Sequence, residues 1–505
     1  MSKLSEIRIN NFSGGISDSP RENNASKFQV SKHFDIFTDP TRLIPYRSLE
    51  ADTNDGSTST GMKQYVVKDF LYASAKGTTT TAVFYGLGQT GAGNTKIVYK
   101  TENNFLSSNW TLPASSEGNG AVQNGCLIEY KDYLWGFQGT NQIFKWGLLS
   151  GTPSITNSAS TTGATITSVA QGLVFEDYLY LPYNNKIWRA TDATTFSDAY
   201  LVLPTNIKIT SLAAYGKYIA IGVAPISNYN GVSKVLLWDG TSTDIQESID
   251  WGEGELRILE TIEGILVGVS DRYLNNATGA GKGSMIVQIY QGGAPQVVKE
   301  VFTKALTGKT IPLNKAVKNN RVFWAAKIMT DSVGTTYNEG LWSFGRKNVN
   351  FPFSLSLDII DDTINTSGIQ SFGMAGNFVF LTHSGDGSIS KTNDSAVYTT
   401  TSIYESQILD FGDSFSDKTL LKLNVAFRKL ATGESVTAKY KWDDATTYTT
   451  AGTFSTVGEL SHSFLNIESS ELSFGSGKEL TVRIESNGGA EIIGITATAR
   501  INDTP

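Results

Sequence analysis

The chain has 505 residues, a formal charge of −7, 11% aromatic residues and a single cysteine. Its length exceeds one ordinary core and implies two or three domains, and its Lys and Arg residues, scattered among acids, exclude a clustered basic surface that grips phosphates. One cysteine excludes a disulfide within the chain, and no apolar run approaches the roughly 20 residues of a membrane-crossing helix.

The composition favours β structure, with abundant Thr, Ser and Gly and no long helix-forming runs at a 3.6 period. Met1 to Arg8 lacks the apolar core of a secretion signal, so the expectation is a protein made soluble and left where it is synthesised. Residues 1–57 form a leader. In it Ile7-Arg8-Ile9 alternates like an edge strand, Phe12-Ser13-Gly14-Gly15-Ile16 breaks it, and Asp18-Ser19-Pro20 makes a turn. Ala25 to Phe34 is expected to hold a short helix. Ile36-Phe37 then leads through Asp39-Pro40 to Leu43-Ile44-Pro45-Tyr46, where Pro45 is tolerated only at a sheet edge.

Residues 58–400 carry a repeat. Glu176 to Asp192 reads as two strands around Asn184-Asn185, residues that tolerate positive φ. Because a lone hairpin has no stable core, it must belong to a larger sheet. The figure returns at Lys131 to Trp146, Tyr215 to Gly240, Glu263 to Tyr290, Asn320 to Phe344 and Gly376 to Thr392, with an early copy from Thr81-Ala82-Val83-Phe84-Tyr85 to Lys96-Ile97-Val98-Tyr99-Lys100. Anchored on Tyr99, Trp146, Trp188, Trp238, Tyr290 and Phe344, the period is 42 to 54 residues. Units of roughly 40 to 50 residues and about four strands are the mark of propeller blades. Stacked β-sandwiches also place strands at short intervals, but seven returns of one figure in register favour an all-β propeller of about seven blades.

A ring of blades leaves open edges unless it is closed. The strand around Arg42 to Ser48 is expected to pair with a blade at the seam. Residues 401–505 read as a separate β-sandwich, jelly-roll-like, with strands at Ile403 to Leu409, Leu420 to Phe427, Ser435 to Trp442, Ser461 to Leu465, Leu480 to Ile484 and Ile492 to Ile501.

Catalytic and metal chemistry finds little support. His33, His383 and His462 fall one per region, with no spacing that places two on one strand face. Ser384-Gly385-Asp386-Gly387-Ser388 is similar to the Asp-box turn of sialidase-type propellers, but a plain Asp-Gly hairpin turn explains it. The pairs Asp361-Asp362 and Asp443-Asp444 read as solvated turns, since adjacent acids point to opposite sides of a strand. Loops at 225–233 and 271–283 are rich in oxygen ligands yet lack a calcium-loop spacing. Gly86-Leu87-Gly88-Gln89-Thr90-Gly91 spells a dinucleotide fingerprint with no helix after it, and so reads as a hairpin loop. Cys126, in an apolar strand, reads as core packing. No enzyme activity, cofactor or metal is expected.

The order Phe-Ser-Gly-Gly-Ile-Ser, a nearby proline, Phe34-Asp35-Ile36 and then Leu43-Ile44-Pro45-Tyr46-Arg47 resembles the opening of tail β-propeller proteins of tailed bacteriophages, the tail nozzle (tubular protein B) type included. Pro45-Tyr46-Arg47 stands where many members have a basic-Pro-Gly ending. Glu405 to Gly412 followed by Val436 to Trp442 resembles the C-terminal sandwich often joined to such propellers. The resemblance implies a structural virion protein of the tail nozzle, tip or adaptor, assembled in the host cytoplasm as a homo-oligomeric ring. Other tail or portal proteins would be its neighbours, and DNA would pass without specific binding. Phe12, Gly14, Gly15, Phe34, Ile44 and Tyr46 are then expected at assembly contacts, in an arm packed outside the ring. A carbohydrate- or receptor-binding tail protein using exposed Trp and Tyr is the alternative, and a propeller glycosidase a further one.

Overall fold

The computed structural model describes residues 3–17, 19–21, 26–52, 65–73, 83–90, 95–101, 110, 117–118, 126–138, 142–147, 155–160, 169–192, 196–226, 231–273, 283–303, 314–326, 329–330, 336–337, 339–361, 369–383, 389–392, 398–465 and 474–502. Among them every regular element is a strand. Among the described residues seven antiparallel sets of strands follow one another along the chain, beginning at Tyr65, Leu127, Leu173, Ile207, Glu255, Lys315 and Ile369; the first six hold four strands in meander order, with a short hairpin added to the fifth, and the seventh holds three. Tyr99, Trp146, Trp188, Trp238, Tyr290 and Phe344 all fall on the third strand of their own sheets.

The turn between first and second strands recurs with one geometry. Tyr130 pairs with Tyr133, Phe175 with Tyr178, Ile262 with Ile265 and Lys318 with Arg321, each across two residues. Both central residues have positive φ at Lys131-Asp132 (47° and 64°), Glu176-Asp177 (46° and 68°) and Asn319-Asn320 (49° and 61°). That is the type I′ turn, whose twist matches the flanking strands. Asn184, in the next turn of the third sheet, also takes positive φ, at 50°.

Large aromatics fill the joints between sheets. Trp135 meets Trp188 across the second joint with centroids 5.9 Å apart, and Tyr180 meets Trp238 across the third at 5.6 Å. Trp324 Nε1 reaches Met285 Sδ from the sixth sheet to the fifth at 3.2 Å. Phe84 of the first sheet packs on Phe380 of the last at 4.9 Å, which closes the circuit. A fully buried Trp removes about 200 Å² from water, worth about 5 kcal/mol, against about 1 kcal/mol for a hydrogen bond. The aromatics therefore dominate these joints, and the arrangement is a β-propeller.

After the seventh sheet, two further sheets face one another. One runs through Ser402–Ser406, Leu480–Asn487, Ser435–Trp442 and Thr449–Phe454, the other through Ile492–Ile501, Lys418–Phe427 and Ser461–Leu465. Alternate residues, Tyr404, Val482, Ile484 and Val436 from one and Leu423, Val425, Ile495 and Ala497 from the other, share a core.

The leader is woven through these layers. Its β1 (Lys3–Ile9) is the outer strand beside Ile492–Ile501. From β2 (Gly15–Ile16) the chain pairs in parallel with β3 (Lys27–Lys32). Strand β3 joins Ser354–Ile360 of the sixth propeller sheet to Ser402–Ser406, making one ten-stranded sheet. In place of the helix expected over Ala25 to Phe34, the described residues form the strand Lys27–Lys32. Phe28 and Val30, two residues apart, are both fully buried, and hydrogen bonding on both edges demands extended backbone. Next, β4 (Phe34–Asp35) and β5 (Ile44–Pro45) form a small ribbon. Finally β6 (Leu49–Ala51) supplies the fourth strand of the seventh sheet, pairing with Ser390, Lys391 and Thr392. The seam strand lies just past the expected Arg42 to Ser48, because Ile44 and Pro45 are taken up by the ribbon with Phe34 and Asp35.

Candidate functional site

The six leader residues expected at assembly contacts fall into two groups, each with partners in the same chain. Phe12 is fully buried, edge-on to Tyr404 at 5.4 Å. Gly15 has φ 72°, and a Cβ there would lie 2.7 Å from Ser354 Cβ, so only glycine lets the leader reach the sixth sheet. A Cβ on Gly14 would lie 2.6 Å from Lys27 Cγ. Ser354 Oγ donates to Ser13 O, and Lys299 Nζ of the fifth sheet donates to Ser17 O at 2.6 Å. These are contacts within one chain, and they lay the arm along Ser354–Ile360, the fourth strand of the sixth sheet. An apolar ring of the size of Phe12 finds its partner in the joint between sheets, where burial withdraws it from water.

Phe34, Ile44 and Tyr46 belong to the second site. Phe34 is fully buried, while Ile44 and Tyr46 line a cavity of about 290 Å³ between the β4–β5 ribbon and the sixth and seventh sheets. Its centre is Arg321, which sequence reasoning missed because nothing local distinguishes it from a strand-end arginine. The guanidinium lies 3.1 Å from Asp358 Oδ2 and 4.0 Å from Asp35 Oδ1, donates to Tyr46 Oη at 3.4 Å, and sits over the rings of Phe37 (4.3 Å) and Phe323 (4.7 Å). Burial pushes the Asp358 carboxyl up to about 6, with Arg321 pulling it back only in part. Burial also raises the Tyr46 phenol well above its usual range. It pulls the Arg321 guanidinium down, but Tyr46, Asp358 and Asp35 more than offset this and leave it above its ordinary value. The arginine is a fixed cation binding the leader to the sixth sheet.

A second polar set lies at the propeller axis. Asp69 is buried and accepts hydrogen bonds from the Leu127 amide at 2.7 Å, the Phe70 amide at 2.9 Å and Asn314 Nδ2 at 3.0 Å. Burial raises its carboxyl to about 6, these donors lowering it again only in part. Asn314 latches sixth to seventh sheet in the same manner, accepting from the Phe372 amide at 3.0 Å and donating to its carbonyl at 2.8 Å. Ser211 latches fourth to fifth, accepting from the Leu259 amide at 3.1 Å. Cys126 Sγ accepts from the Gly172 amide at 3.0 Å, and burial pushes its thiol far up, as core packing requires. Across the axis, Lys315 Nζ donates to Leu212 O at 2.6 Å and pairs with Glu260 at 2.8 Å, while Gln171 Nε2 donates to Lys315 O at 3.3 Å. The Gln171 side chain, beside the third sheet, thus meets the main chain of the sixth, while the Lys315 side chain reaches the fourth and fifth.

The other candidates stay apart. His33 accepts the Ile360 amide at 3.3 Å, His383 pairs with Asp361 at 2.5 Å with both buried, and His462 stacks on Phe454 at 4.2 Å. Among the described residues no three His, Cys, Asp or Glu side chains gather as a metal site. Asp443 Oδ1 accepts the Lys478 and Glu479 amides at 2.8 and 2.9 Å, a turn-fixing role. Gly86 and Gly88 lie inside the strand Val83–Thr90, not in the hairpin loop expected for them. Asp362, Asp386 and the centres of the loops at 225–233 and 271–283 lie outside the described residues. Trp135, Trp188, Trp238, Trp251, Trp324 and Trp342 are fully buried, so none forms an exposed sugar platform.

No family model matches the sequence, and no curated protein matches it. Among solved structures the chain is similar to the Neurospora crassa Pan2 WD40 domain, at TM-score 0.42 and 10% identity over 69% of this chain and 94% of that one. It is similar to the N-terminal domain of Nup159 at TM-score 0.41 and 10% identity, over 75% and 98%. YCF48 bound to D1 peptide matches at TM-score 0.41 and 11% identity, over 69% and 97%.

Proposed function

We propose that this chain is a structural protein of a tailed-phage virion, a seven-bladed propeller with a C-terminal sandwich that assembles as a homo-oligomeric ring in the tail nozzle, tip or adaptor. The observation that supports this reading is the use of the leader. The segments Phe12 to Ile16 and Phe34 to Tyr46, by which the chain resembles tail propeller proteins, flank β3, the strand that joins the sixth sheet to the first C-terminal sheet. A subunit held this way carries load through a continuous sheet instead of a linker. Lys315 and Gln171 meet across the propeller axis, so a DNA conduit in such a ring runs between copies, along a neutral or acidic wall that does not retain phosphates.

Electron microscopy of purified particles, with an antibody against this chain, tests the reading. The expected result is a ring of label at the tail. Absence of the chain from particles, together with a monomer at every concentration, would overturn it.

A further inference from the structure

The second C-terminal sheet ends on the leader. Seven consecutive residues of β1 pair with Ile492–Ile501, and the register never shifts. Among the described residues no main-chain group of β1 has a partner on its other edge. Natural sheets blunt such edges with bulges, short strands or charge. The outer strands Ile155–Ser160, Phe196–Val202, Glu247–Glu253 and Thr449–Phe454 each meet their neighbours through a register shift, and Glu247–Glu253 also carries three acids. By contrast β1 holds neither proline nor glycine, and its charges, Lys3, Glu6 and Arg8, are of both signs.

Alternation sorts these residues into two faces. Ser5, Ile7 and Ile9 turn toward the sandwich core, with Ile9 buried and Ile7 only half-buried, while Leu4, Glu6 and Arg8 turn to solvent. Arg8 Nε meets Glu6 at 2.6 Å along the strand, a pair worth little by itself because both side chains stay wet. A second β1 laid antiparallel, with a two-fold axis through Ile7, sets each Glu6 opposite the partner's Arg8. The two pairs then form a square of alternating charge, and Ile7 meets its own copy on the core face. Moving the axis to Glu6 or to Arg8 puts like charges face to face, and a slip by one residue turns the partner's apolar set to solvent.

We propose that β1 pairs with β1 of a second copy across this axis, so that the free chain dimerises through one continuous sheet. The charge pattern selects both the partner and the register. This contact goes beyond the virion reading and does not rest on it.

Sedimentation equilibrium of the full chain tests it. The parent should be a reversible dimer in which hydrogen exchange at the β1 amides slows as concentration rises. Glu6→Arg and Arg8→Glu, both at exposed positions, should leave the melting temperature of the monomer unchanged. Each sets two like pairs across the axis and should weaken the dimer about tenfold or more. An equimolar mixture of the two variants should recover it, because every facing pair in the mixed dimer is again of opposite sign. A monomeric parent, an oligomer that keeps its size in both variants, or a mixture no heavier than its components would each overturn the proposal. The second of these outcomes, a ring built on another surface, would leave the proposed function standing.

Discussion

The sixth and seventh propeller sheets both take a strand from the leader, and they take it in different ways. At the sixth, β3 is bonded on both edges, Phe28 and Val30 are fully buried, and Arg321 clamps the ribbon beside it through two carboxylates. At the seventh, β6 contributes three paired residues, and Ser48 Oγ accepts the Thr399 and Thr400 amides at 2.7 and 2.9 Å. One junction is set by apolar burial and buried charge, the other by a short hydrogen-bonded ribbon. The lesson is that a single segment closes the ring weakly and anchors it strongly, so damage to the two junctions should separate by size.

Removing residues 1–52 strikes both. It strips β3 from a core that extends into the C-terminal sheets, and the expected outcome is loss of cooperative unfolding in calorimetry, with aggregation through the exposed edges. Arg321→Ala tests the anchor alone. It leaves Asp358 and Asp35 without their cation in a buried place, which should lower stability by about 3 to 5 kcal/mol in denaturant titration. Replacing Arg321 and Asp358 together by apolar residues should restore much of that loss; if the double variant is no better than the single, the junction depends on shape and not on charge.

The axis latch gives the next effect. Burial raises Asp69 from 3.8 to about 6 in the fold. The folded state therefore binds the proton more tightly than the unfolded one, and stability falls as pH rises from about 4 through 6, by about 3 kcal/mol, then levels. Asp358 contributes a fall of the same sign over the same window. Asp69→Asn should flatten the Asp69 part of this slope in thermal melts between pH 4 and 8, and an unchanged slope would exclude Asp69 as its source. Ser48→Ala should have the smallest effect, about 1 to 2 kcal/mol, because two amides lose the hydroxyl that accepts from them. Protease cleavage near the seam, faster than in the parent at equal temperature, would localise the change there.

Legibility followed the range of the interactions. The hairpin at Glu176 to Asp192 was readable because Leu179 and Leu181 alternate around a turn that accepts positive φ at Asn184, all within a few residues. Trp188 and Trp238 marked third strands for the same reason. Thr449–Phe454 went unread as a strand, since its burial comes from Phe427 and Phe464 across the fold. The stretch Ala25 to Phe34 misled because its alternation is short and its two partners lie more than 300 residues downstream. The leader residues named from the sequence have partners at Ser354, Tyr404 and Arg321, all far away along the same chain.

The residue order alone determined that strands recur with one aromatic figure, that the turns between them accept left-handed backbone, and that no long helix period is present. These follow from side-chain alternation and φ preference, which act between neighbours. Tertiary structure alone decided that β6 closes the last sheet, that β3 merges two layers into one, and that Lys315 and Gln171 meet across the axis. Each of those depends on bringing distant segments within hydrogen-bond reach, and no local pattern encodes which edge, or which opposing carbonyl, a strand or an ammonium will find.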